Sequence, residues 1–121
     1  MSNNTIDLKK ILLLINDQKD IEANLNLDEG CLLECEDPKP LIKVINYFLN
    51  YLDQLKELPM EIGLELRRDS CALSLLAYTS ADSIPELSDK LEETLRLYNA
   101  TFDVHHETGK YLQIKISFNK S

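Results

Sequence analysis

Along this chain the spacing of apolar residues switches back and forth between the period of a strand and that of a helix, a rhythm that packs helices on a sheet. Ile21, Ala23, Leu25 and Leu27 alternate with Glu22, Asn24 and Asn26, as in a half-buried strand. Asp28, Glu29 and Gly30 turn the chain into a second strand over 31–35, and the two are expected to form a hairpin. Asp37-Pro38-Lys39-Pro40 stops that strand, after which Leu41, Val44, Ile45, Phe48, Leu52 and Leu55 fall on one helical face. Met60, Ile62, Leu64 and Leu66 return to alternation, Arg68-Asp69-Ser70 turns, and the more continuously apolar stretch 71–78 reads as a central strand. Ile84-Pro85 opens a further predicted helix, with Glu86 in its first turn and Leu87, Leu91, Leu95 and Tyr98 along one face. Phe102, Val104 and His106, then Leu112, Ile114, Ile116 and Phe118, make a closing hairpin about Thr108-Gly109.

Ahead of this series, Leu8, Ile11, Leu12 and Ile15 mark a short amphipathic helix that Asn4 or Thr5 can cap and 16–18 close. The expected architecture is α+β: a two-layer sandwich of a mixed β-sheet of about six strands with three helices, in the order α-ββ-α-ββ-α-ββ. A chain of 121 residues suits one core, so a single domain is expected over 1–121, with an N-terminal helix at 1–18 and the core at 21–118.

Charge narrows the range of partners. Thirteen basic against 21 acidic residues leave a net charge of −8, spread along the chain, which opposes nucleic acid or an anionic membrane and favours a basic protein surface. No apolar run approaches the roughly 18 residues of a membrane span, and nothing near Met1 resembles an export signal, so a cytoplasmic location is expected. Cys31, Cys35 and Cys71 are odd in number and lie in apolar stretches, as suits reduced, buried thiols. The C-x3-C pair lacks the second pair that a zinc site needs, so no metal is expected.

Three groups of segments carry a resemblance: Glu36-Asp37-Pro38 with the helix 41–55, the strand 73–78 followed by Ile84-Pro85, and 95–104 with 113–118. In order and spacing, over about 21–118, they resemble the histidine kinase-type ATPase family, also called the GHKL or Bergerat fold, which includes histidine kinase catalytic domains and anti-sigma kinases. The resemblance implies an aspartate-proline entry into the N-box helix, a G1-box strand and loop, and a closing helix and hairpin. It places the metal-binding N-box asparagine at Tyr51, which has no amide oxygen to give magnesium. The G1 aspartate that bonds adenine falls on Thr79, which offers a hydroxyl but no carboxylate, and the glycines beside the nucleotide fall on Ala81 and Ser83. A helix beginning at Ile84 would leave no room for the family's lid or its second glycine box. Of the three glycines, Gly30 and Gly109 are predicted in turns and Gly63 in a strand, which leaves none for a phosphate loop, a P-loop or a dinucleotide-binding turn.

The resemblance therefore implies a degenerate ATPase domain with no cofactor: a non-catalytic protein-binding module of bacterial two-component or sigma-factor signalling. Its partner would be a signalling kinase, a response regulator or a sigma factor. Leu13 and Leu14 widen the apolar stripe of the first helix, which suits docking, a homodimer through that helix, or packing on its own domain. Tyr47 and Tyr51 would fill the vacant site or present an aromatic patch. The alternative is a minimal nucleotide-binding ATPase or protein kinase of the same family that uses Asn50 and Asp82, which requires both to face one pocket. Asn50, however, lies opposite the apolar face of its helix, with Asn46 and Asp53. No other catalytic constellation stands out. His105 and His106 are neighbours on a predicted strand and point to opposite faces. No serine has a G-x-S-x-G setting, and Glu34, Glu36 and Asp37 suit a solvated helix start.

Overall fold

A computed structural model describes residues 4–119. The elements run β1 (Asn4–Asp7), α1 (Leu8–Lys19), β2 (Ala23–Leu27), β3 (Leu32–Cys35), α2 (Lys39–Asp53), β4 (Met60–Leu66), β5 (Ser70–Tyr78), α3 (Leu91–Arg96), β6 (Ala100–Glu107) and β7 (Tyr111–Asn119). Five strands form one sheet in the order β2-β4-β5-β7-β6, in which β2 runs parallel to β4 and every other pair is antiparallel. Strict alternation sorts its two faces. Leu64, Leu73, Ile116 and Phe102 lie in one row on the inner face, and the inner residues Ile62, Leu75, Ile114 and Phe118 are buried in one core with Leu41, Ile45, Phe48 and Leu52 of α2. Ser74, Gln113, Lys115 and Asp103 belong to the outer face. The architecture is thus the expected α+β one, a mixed sheet with three helices.

β2 and β3 do not form the expected hairpin. The Asp28 N–H donates to the Leu64 carbonyl at 2.8 Å and the Asp28 carboxylate accepts from the Leu66 N–H at 2.9 Å, which fastens the end of β2 to β4. Gly30, at φ 96°, then turns the chain away. β3 pairs instead with β1, a strand that the sequence did not announce, in a separate two-stranded sheet. Because Ile6 is paired opposite Leu33, the first helix begins later than expected. Its cap is Asp7, whose carboxylate accepts from the Lys9 N–H at 3.0 Å, in place of Asn4 or Thr5. It ends at Asp20 in the left-handed conformation, φ 53°, with its N–H on the Asn16 carbonyl.

The third helix is also corrected. It spans only Leu91–Arg96, and residues 79–90 are irregular although Ile84 and Leu87 pack on the core. A helix through Ile84 would need the Pro85 carbonyl and the Ser88 N–H for its own ladder, and side chains of α2 take both. The cysteines differ from expectation as well: Cys31 and Cys71 form a disulfide with their Cα atoms 6.0 Å apart, while Cys35 is a free, buried thiol. Burial suits a thiol and a disulfide equally, so it did not distinguish them; the spatial approach of Cys31 to β5 did. Burial, and then Asp37 nearby, push the Cys35 thiol above its ordinary range.

Candidate functional site

On α2 the i, i+4 spacing brings Tyr47 and Tyr51 to one side, where their rings stack with centroids 6.3 Å apart. Tyr51 is 5% exposed and its hydroxyl donates to the Pro85 carbonyl. The Tyr47 hydroxyl accepts from the Ser88 N–H at 2.9 Å. Burial, and then the neighbouring Tyr47, raise the pKa of Tyr51, which keeps its phenol protonated as a donor. Two side chains of one helix thereby hold the middle of the 79–90 loop against α2.

The start of the loop is held separately. Thr79 is 3% exposed; its N–H donates to the Lys110 carbonyl at 3.1 Å, and its hydroxyl donates to Glu57 at 3.4 Å and accepts from the Ala81 N–H at 3.2 Å. The Glu57 carboxylate accepts from the Ser80 N–H at 2.6 Å and the Ser80 hydroxyl at 2.7 Å. These bonds, the backbone one foremost, lower the Glu57 pKa against the opposing effect of desolvation, and the Thr79 hydroxyl adds the smallest contribution. The His106 ring nitrogen lies 3.1 Å from the Ala81 carbonyl oxygen, while His105 is exposed on the opposite face.

The positions that the resemblance singled out are therefore distributed as follows. Tyr51 sits beneath Pro85, Thr79 has its hydroxyl engaged on both sides, Ala81 is half-buried, and Asp82 and Ser83 are exposed. Asn50, one residue and about 100° from Tyr51, is exposed and its amide oxygen accepts from the Lys19 ammonium of α1 at 2.9 Å. Leu13 and Leu14 are 43% and 56% exposed, while Leu8, Leu12 and Ile15 bury the opposite side of α1 on its own domain. Of the acids weighed from sequence, Asp37 serves a helix start, its carboxylate accepting from the Lys39 N–H at 3.0 Å.

Two residues had no sequence signal for their role. Glu57 follows α2 outside any periodic pattern. Tyr98 was expected only as part of an apolar face, yet its hydroxyl donates to the Asp37 carbonyl at 2.6 Å and accepts from the Leu41 N–H at 3.0 Å, tying the end of α3 to the start of α2. A groove of about 230 Å³ runs beside the tyrosines, lined by Pro40, Lys43, Val44, Tyr47, Ser88 and Leu91 among others. Another, about 290 Å³, lies over Gly63 on the outer sheet face. Tyr51, Thr79, Ala81 and Ser83 line neither. Among the described residues no group of three or more His, Cys, Asp or Glu is placed to hold a metal ion, and no helix is long and apolar enough to cross a membrane.

No protein-family model matches the sequence, and no curated protein matches it. Solved structures do match the fold. The Acinetobacter baumannii histidine kinase AdeS superposes with a TM-score of 0.75 at 11% identity, over 100% of this chain and 68% of that one. The histidine kinase domain of the E. coli osmosensor EnvZ gives 0.76 at 9% identity, over 100% and 91%. The catalytic domain of histidine kinase ThkA, in a nucleotide-free form, gives 0.66 at 16% identity, over 100% of both chains. At these identities the likeness shows the fold, that of histidine kinase ATPase-like domains.

Proposed function

We propose that this chain, built on the fold of histidine kinase ATPase domains, is a degenerate member that does not bind ATP and works as a non-catalytic protein-binding module in bacterial two-component or sigma-factor signalling. The observation that carries the reading is the tyrosine clasp. Tyr51 stands where the family resemblance puts the metal-binding asparagine, with its hydroxyl on Pro85, and Tyr47 beside it holds Ser88. Opening that ground for a nucleotide would break two hydrogen bonds, at about 0.5–1.5 kcal/mol each, and expose a buried ring, at roughly 1.5–3 kcal/mol. The sum is comparable with the whole binding free energy of a millimolar ligand, about 4 kcal/mol. Thr79 likewise has its hydroxyl committed to Glu57 and Ala81.

What remains for function is surface. The net charge of −8 suits a basic protein face, and Leu13 and Leu14 offer that partner an apolar contact. The pairing of Asn50 with Lys19 speaks against its joining Asp82 around a nucleotide. Titration with ATP and magnesium is expected to leave the melting temperature unchanged. A rise of several degrees at saturating nucleotide, as binding linkage demands of a real ligand, would overturn the proposal.

A further inference from the structure

β6 closes one side of the five-stranded sheet, and no strand among the described residues pairs with its outer edge. It is eight residues long and contains neither proline nor lysine, two devices that commonly blunt such edges. Its hydrogen-bonding parity follows from its two ends. The Lys110 N–H donates to the Glu107 carbonyl at 2.9 Å in the turn, and the Asn119 N–H donates to the Asn99 carbonyl at 3.0 Å. The odd-numbered residues thus spend their backbone groups on β7, and antiparallel alternation turns the N–H and C=O groups of Ala100, Phe102, Val104 and His106 outward. The side chains of Thr101, Asp103, His105 and Glu107 are exposed on the outer face.

We propose that this edge binds a second copy of itself, β6 against β6 in antiparallel fashion about a two-fold axis at Val104, so that one sheet continues through both copies. The occupant is argued from self-complementarity. In this register Asp103 lies opposite His105 and Thr101 opposite Glu107, so each carboxylate meets a hydrogen-bond donor, and outward-bonding residues face one another: Val104 with Val104, Phe102 with His106. A slip of two residues puts Asp103 against Asp103 in one direction and against Glu107 in the other, which is unfavourable, and longer slips shorten the ladder. Within each copy Asp103 is flanked by Lys115 and His105 by Gln113 of β7, so no like charge crowds the pair. The net charge of each copy opposes association, which therefore strengthens with ionic strength.

Sedimentation over a wide concentration range tests this, with far-UV circular dichroism and thermal unfolding to check that each variant folds. The wild type is expected to show a monomer–dimer equilibrium. His105→Lys should tighten it by setting an ammonium opposite Asp103, and His105→Asp should weaken it roughly tenfold, because the repulsive pair occurs twice across the axis. Val104→Pro removes an outward N–H from each copy without touching the β7 ladder, a substitution that edge strands accept, and should leave monomers. If Val104→Pro fails to fold, the opposite signs at His105 decide alone. A wild type that stays monomeric throughout, or His105 variants that shift the equilibrium in the same direction, overturns the proposal. So does a dimer that survives Val104→Pro but is lost with Leu13→Ser and Leu14→Ser, which would place the contact on α1.

Discussion

One carboxylate, that of Glu57, takes three hydrogen bonds at the point where β5 gives way to the loop. Because they lower its pKa from the usual 4.5, the stabilisation it gives is fully present above that value and is lost as acid carries the pH down through the lower folded-state value. The Ser80 amide resonance is therefore expected to titrate with a midpoint below the ordinary carboxylate value, and to lose that titration in Glu57→Gln; an amide that stays flat through the acid range would disprove the contact. No pattern in the sequence pointed to Glu57, because a side chain that accepts from residues 22 and 23 positions away leaves no periodic trace. Tyr47 and Tyr51 were legible as neighbours, since helical spacing alone places them side by side. Their partners, 41 and 34 residues away, were not.

Among the elements, α2 and the strands of the large sheet follow their apolar periods closely, whereas β1 carries no such period, and the β2–β3 and 84–90 misreadings fall where tertiary hydrogen bonds override local pattern. Residues 84–90 have a helical spacing of apolar side chains and a proline suited to a first turn, yet the backbone groups that a helix would use are held by the tyrosines. Replacing both by phenylalanine is expected to cost about 1–3 kcal/mol in all and to make 79–90 the first segment cut in limited proteolysis. Unchanged protease resistance would mean that the loop is held by packing alone. The β2–β3 hairpin failed for a related reason. Adjacency in sequence is a fair guide to pairing, but the Asp28 backbone and carboxylate both engage β4.

Over the whole molecule, the Cys31–Cys71 disulfide joins the end of the turn that leads to the small sheet to the central strand of the large one, across a sequence separation of 40 residues. Its removal in Cys71→Ala, or by reductant, should lower stability by about 2–4 kcal/mol in chemical denaturation; identical curves with and without reductant would count against the bond. A cytoplasmic setting would keep such a pair reduced, and the protein would forgo that stabilisation there. Three cysteines in apolar stretches were readable as buried, but which of them meet depends on the turn ahead of β3 bringing Cys31 to Cys71 of β5, a relation that no spacing encodes. The sheet order itself bears on how the chain is made. β7 follows every other strand described here in chain order, yet it lies inside the sheet, between β5 and β6. As the polypeptide leaves the ribosome, β5 and β6 therefore emerge with no partner between them, and the apolar rows of both wait for the final strand before the two halves of the core can close.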